Sequence, residues 1–295
     1  MESTLPHEPS AWSIRNILGV FKVRIGVVIT FTALTGLAVS SGQDLSGAQF
    51  AALCFAVLVS SACAGAFNQY YEYDIDPLMS RTNKRAFATG KFQRSPMWLV
   101  VIGALLIASV AAAWLALNAW TALYVFLGAF FYAIVYTVWL KRRTWLNIVI
   151  GGLAGSWAVL AGAAAVGAQA DAVPLALAFV LFLWTPPHFW SLAVAFRDDY
   201  QAAGVPMLPV VVGDARAAKT IFASTLMLVA ASFLPAYYGL GNVYAAGAAL
   251  GGSYFILKAW QLSQNPTRQT AMACFHASLF QLTLLLIAAI IDARF

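Results

Sequence analysis

The chain has 295 residues, of which 62% are hydrophobic and 9% charged, with 17 basic against 11 acidic side chains and a net charge of +6. An ordinary soluble domain is about 45–50% apolar and about 25% charged. So few charges cannot cover a soluble globule, which excludes that class along with disorder, a disulfide-stapled fold and any nucleic-acid partner. What remains is an integral membrane protein in contact with lipid, where excess positive charge reports loops facing the cytoplasm.

A helix needs about 20 apolar residues to cross a bilayer. One uncharged run lies between Arg24 and Asp44, and 45–71 is the second. The stretch 95–140 is double length and breaks near Asn118, giving the third and fourth. Then come 144–170, 172–196, a second double-length stretch over 220–257 broken at 238–242, and 269–291. The count is nine. These are continuous apolar blocks, not the alternating segments of a β-barrel, so the fold class is an all-α bundle of nine transmembrane helices around a cavity. Residues 1–21, with Pro6, Glu8 and Pro9, lack the apolar core of a signal peptide and read as a cytoplasmic tail. A single membrane domain then fills 22–295.

Orientation follows from the basic residues. Sixteen of the 17, from Arg15 to Arg268, fall in the tail and in alternate loops on one side, and Arg294 alone lies opposite. The N-terminus is therefore cytoplasmic and the C-terminus outside, in what reads as a bacterial inner membrane. Cys54, Cys63 and Cys274 sit inside spans without metal-type spacing and read as packing residues.

The acidic residues are clustered. Asn68, Glu72 and Asp76 recur every fourth residue at the inner end of the second span, which puts them on one helix face. Asp74 points to the far side, and Pro77 ends the helix. An amide and two carboxylates suit a hard cation, Mg2+ before a transition metal. Arg81, Lys84 and Arg85 follow at once, so metal and cations together would surround a polyphosphate.

A second cluster, Arg197-Asp198-Asp199-Tyr200, stands at the inner end of the sixth span and leads into the stiff loop Gly204-Val-Pro-Met-Leu-Pro209. The two cluster-plus-loop units suggest a weak internal repeat over 22–143 and 144–268. Each unit could hold one metal ion and clamp a diphosphate between them. Lys141, Arg142 and Arg143 lie just inside the fourth span, as diphosphate partners or as topology anchors, and Lys22 and Arg24 share that ambiguity. In the sixth span, Pro186-Pro187 free backbone carbonyls and bend the helix beside His188. His188 and His276 are each either a ligand or a satisfied packing residue. Tyr70, Tyr71, Tyr73 and Tyr200 could shield a carbocation. A transporter would carry its charged site near the bilayer midplane, whereas these acids lie at span ends.

The run Asn68-x3-Glu72-x3-Asp76 with Met79-x-Arg81-Thr82-x2-Arg85 resembles the first acidic motif of the UbiA superfamily of membrane prenyltransferases. Tyr136-Thr-x2-Leu-Lys141-Arg142, Asn147-Ile-Val-Ile-Gly151-Gly152, Trp184-Thr-Pro-Pro-His188 and Asp199-Tyr-x3-Gly204-Val-Pro-Met-Leu-Pro209 are similar to its haem-farnesylating branch. The resemblance implies farnesyl diphosphate and haem B as substrates, Mg2+ as cofactor, and a haem A synthase or oxidase-assembly partner downstream. It assigns the metal to Asn68, Glu72, Asp76, Asp198 and Asp199. The diphosphate falls to Arg24, Arg81, Arg85, Lys141 and Arg142, and the acceptor to His188 and Tyr200. An aromatic quinone precursor such as 4-hydroxybenzoate is the alternative acceptor. The chain departs from the pattern at Glu72, where Asp is usual, and at Ala202 and Ala203, where a second Asp would stand.

Overall fold

A computed structural model describes residues 13–294, so most of the expected tail lies outside the described residues. What is described of it is helical: α1 (Ile14–Val20) starts at Ser13, whose hydroxyl caps the Asn16 amide. It meets α2 (Val23–Ala38) at a bend of 53°. The corner is Lys22, with a left-handed φ of 47°. α3 (Gly47–Tyr71) opens with a reciprocal cap between Ser46 and Gln49. α4 (Pro96–Ala116) begins with proline in its first turn, where no donor is lost. α5 (Ala119–Phe130) starts at Asn118, which caps Thr121, and continues as π-helical turns over Phe131–Leu140. The break expected at Asn118 is thus a helix start.

Two short helices follow in line, α6 (Asn147–Gly151) and α7 (Leu153–Ala165), and then α8 (Ala172–Ala195). α8 is continuous through Pro186 and Pro187. On the inner side lie α9 (Arg197–Ala202) and α10 (Leu208–Val212). α11 (Asp214–Ala231), α12 (Leu234–Tyr237), α13 (Asn242–Gln264) and α14 (Arg268–Asp292) complete the chain. No strand occurs among the described residues.

Among the described residues, seven helices are long and apolar enough to cross a membrane, or eight when the bent α1–α2 pair is one span. The ninth long helix, α13, has 23 residues but is diluted by Gly, Ser, Gln and Lys258. α13 lies along α14, α2 along α7, and α8 against α7, α11 and α14. The α2–α7 crossing brings backbones together: a Cβ at Gly36 would collide with the Val159 carbonyl, and one at Gly162 with that of Ala33. The main core, including Leu177, Ile221, Leu228, Tyr244, Phe255 and Leu285, lies between α8, α11, α13 and α14. Outside, α4 exposes Val100, Ile107, Trp114 and Leu115, a surface suited to lipid. Cys63 and Cys274 are buried free thiols and Cys54 is part-buried, in keeping with packing roles.

Candidate active site

The helical hydrogen-bond ladder outlives α3. The Glu72 amide donates to the Asn68 carbonyl (3.0 Å) and the Asp76 amide to that of Glu72 (2.9 Å). Asn68, Glu72 and Asp76 therefore share one face, and a 3-10 turn over Asp76–Leu78 ends the run at Pro77. All three are buried.

Each meets a cation or donor from elsewhere. Lys22 Nζ donates to Asn68 Oδ1 at 2.6 Å and to the Tyr132 hydroxyl at 3.2 Å. The Asn68 amide nitrogen donates to Thr137 Oγ1 at 3.1 Å. Lys141 Nζ donates to Glu72 Oε1 at 2.5 Å. Arg85 donates to both oxygens of Asp76, at 2.8 and 2.9 Å, and comes within 3.8 Å of Glu72 Oε2. Tyr132, Thr137 and Lys141 come from the π-helical segment, where spacings of four and five residues turn them all toward α3.

Burial pushes the Glu72 carboxyl up, but Lys141, Lys22 and Arg85 together hold it below the usual carboxylate range. At Asp76 burial wins over Arg85, and the carboxyl lies above its ordinary value. Glu72 Oε2 is buried with no hydrogen-bond partner. A carboxylate oxygen without a hydrogen bond, on one helix face with an amide oxygen and a second carboxylate, is donor chemistry that suits a hard cation such as Mg2+. Among the described residues, no three His, Cys, Asp or Glu side chains converge on one point as a ready-made cage.

The second cluster adjoins the first through the loop after α3. Asp199 Oδ2 accepts from the Ser80 amide (2.8 Å) and hydroxyl (2.6 Å). Arg81 donates to the Tyr200 hydroxyl at 3.4 Å. Asp198 and Asp199 line a cavity of about 300 Å³ with Ser80, Arg197, Asp214 and Arg268. The two acidic clusters thus share one end of the bundle.

Other expected site residues lie elsewhere. Arg142 forms a bidentate pair with Asp74, at 2.7 and 2.8 Å, on the surface. Arg24 is exposed and makes no ion pair among the described residues. Three of the four tyrosines expected to shield a carbocation are covered by arginines: Arg94 lies 4.6 Å over Tyr70 and 4.3 Å over Tyr73, and Arg142 lies 5.5 Å over Tyr71. His188 is buried between the rings of Trp184 (4.0 Å) and Phe275 (4.5 Å), with Nδ1 2.7 Å from Ser278 Oγ. His276 is on the exposed side of α14. Lys22, which the sequence left as a diphosphate partner or a topology anchor, reaches the site, and so do Ser80, Tyr132 and Thr137, which were not singled out. Only the four-to-five-residue spacing of Tyr132, Thr137 and Lys141 could have flagged any of them.

The family model for the UbiA prenyltransferase family matches residues 29–285. The chain is 53% identical over 280 residues to Protoheme IX farnesyltransferase 2 of Paramagnetospirillum magneticum, covering 95% of this chain and 97% of that one. It is 46% identical to Protoheme IX farnesyltransferase 1 of the same organism, covering 95% and 99%. Among solved structures, the fold is similar to one from a study of digeranylgeranylglyceryl phosphate synthase (TM-score 0.78, 18% identity, 95% and 98% covered). It is also similar to a UbiA homolog from Archaeoglobus fulgidus bound to DMAPP and Mg2+ (TM-score 0.63, 16% identity, 92% and 99% covered).

Proposed function

The chain belongs to the UbiA prenyltransferase family, and from that membership we propose that it transfers farnesyl from farnesyl diphosphate to a vinyl group of haem B, with addition of water, giving haem O. The choice of acceptor is carried by the 53% identity, across nearly the whole of both chains, to a protein named for farnesylating protoheme IX. A quinone precursor as acceptor has no comparable support.

The cluster at the end of α3 suits this chemistry. The allylic C–O bond ionises when the charge developing on pyrophosphate is stabilised in a site shielded from bulk water. Arg85 and Lys141 already bracket Glu72 and Asp76, and Arg81 stands beside Tyr200. These three cations bind the phosphate oxygens. Asn68, Glu72 and Asp76, with Asp198 and Asp199, are the residues that would hold Mg2+, which when bound neutralises the leaving diphosphate as a Lewis acid. The vinyl carbon attacks the farnesyl cation, water adds to the resulting carbocation, and the proton released goes to pyrophosphate. Arg142 acts at one remove, by holding Asp74 at the surface. His188, with its Nδ1 engaged by Ser278, is kept with Tyr200 as a proposed acceptor contact.

The nine-span topology is kept, with α2 as the first span and α1 before it on the cytoplasmic side, α6–α7 as the fifth and α13 as the eighth. It is supported by the position of the acidic clusters at the ends of α3 and α8, the side that carries 16 of 17 basic residues. The site then opens to the cytoplasm from a bacterial inner membrane, and an enzyme that oxidises haem O or an oxidase-assembly factor takes the product.

The test is incubation of purified protein with haem B, farnesyl diphosphate and Mg2+, read by mass spectrometry. The expected product is haem heavier by one farnesyl group and one water, lost with a chelator and in Asp76→Ala. Unmodified haem alongside prenylated 4-hydroxybenzoate would move the assignment to the quinone branch.

A further inference from the structure

Lys22 is the one non-glycine residue with a positive φ among the described residues, and it forms the corner between α1 and α2. A lysine in the left-handed region persists only where its surroundings over-determine it. Three contacts do so here, all from one turn and a half of α3. Gly65 lets the Lys22 stem lie flat, since a Cβ there would stand 3.2 Å from Lys22 Cβ and Cδ. Gln69 Nε2 donates to the last carbonyls of α1, Gly19 at 2.7 Å and Val20 at 3.1 Å. Asn68 accepts the ammonium itself at 2.6 Å.

The last contact conflicts with the function proposed above, on which this inference rests. Asn68 Oδ1 is the oxygen offered to a divalent ion, which would bind about 2.1 Å away. An ammonium on the same oxygen would be its like-charged neighbour. Both cannot hold that oxygen well. The Tyr132 hydroxyl at 3.2 Å gives the ammonium a second partner when it leaves Asn68. An incoming diphosphate would give it a third.

We propose that the Lys22 ammonium is an intramolecular stand-in for the metal on Asn68 Oδ1, displaced when a divalent ion and a diphosphate enter, so that filling the site unlatches the α1–α2 corner. Lys22 is a positioning residue in this scheme: it withholds one ligand from the metal until an anion is present to draw the ammonium away. α1 then reports the state of the site at the cytoplasmic surface, where Ile14 and Leu18 are exposed.

The test uses the full-length protein in detergent and Mn2+ as a spectroscopic probe, titrated with no diphosphate present. Lys22→Met is expected to bind Mn2+ about tenfold more tightly than wild type, the scale of an ordinary coupling between sites. Lys22→Arg, which keeps the charge, should not. A merely structural lysine would leave affinity unchanged or weaken it, and either result in Lys22→Met overturns the proposal. Hydrogen exchange on the wild-type protein needs no variant: amides of residues 14–22 should exchange faster once Mn2+ and inorganic pyrophosphate are both added. Unchanged exchange with demonstrated Mn2+ binding would sink the latch and leave the enzyme assignment standing. No Mn2+ binding by wild type, with or without pyrophosphate, would remove the metal reading and the latch with it.

Discussion

Glu72 and Asp74 are two residues apart and carry the same charge, yet they live in different dielectrics. Glu72 is 1% exposed and faces Lys141. Asp74 is 43% exposed and takes Arg142 in a bidentate grip. The buried pair has no water to fall back on, so losing either partner strands a charge at a cost of about 3–5 kcal/mol. The exposed pair is screened and worth about 0.2–1 kcal/mol. The hydrogen bonds from Arg142 hold the Asp74 carboxyl below its ordinary value of 3.8. A depressed carboxylate stabilises the fold above its unfolded pKa and loses that contribution as pH falls through the folded one. Asp74→Asn should therefore lower the thermal midpoint slightly at pH 7, with the gap to wild type closing below about pH 4. A gap that persists into strong acid would mean that Asp74 acts through packing instead of charge.

At the scale of elements, the α2–α7 crossing is the tightest constraint on side-chain size. The carbonyls of Ala33 and Val159 occupy the space that side chains at Gly162 and Gly36 would need. Backbone cannot retreat as a flexible side chain can, so Gly162→Val should yield little folded protein, with a cost above about 3 kcal/mol. Gly103, in the middle of α4, has nothing within 4 Å of where its Cβ would be. Gly103→Ala should leave turnover untouched and stabilise by about 0.5–1 kcal/mol, because alanine loses less backbone entropy. Thermal unfolding of both variants in one detergent makes the comparison. If Gly162→Val unfolds like Gly103→Ala, the two helices do not cross as closely as described. Two consecutive prolines in α8 remove two backbone donors without interrupting the helix. The helix stays in one piece while packed against α7, α11 and α14.

For the whole molecule, the nine-span topology places Asn118 and Gln169 on one side of the membrane and Lys84 and Gln201 on the other. Single cysteines at these positions, in a background lacking Cys54, Cys63 and Cys274, should label with an impermeant maleimide from opposite faces. A cysteine at Arg294 should label with the Asn118 set. Labelling with the Lys84 set instead would mean an even number of spans, with α13 the first suspect because it is long enough to cross a membrane but is not among the seven helices apolar enough to do so. Membrane residence, helical class and the face shared by Asn68, Glu72 and Asp76 were legible in the amino-acid sequence, because hydropathy and helical period are local properties. The partners within the site were not. Lys22 and Asn68 are 46 residues apart, and Lys141 and Glu72 are 69 apart. Charge alone made Arg24 and Arg142 as eligible as Lys22 for the diphosphate. Only the tertiary structure could choose, because a buried carboxylate is satisfied by whichever cation the packing of helices carries to it, and that packing depends on contacts far apart in the chain.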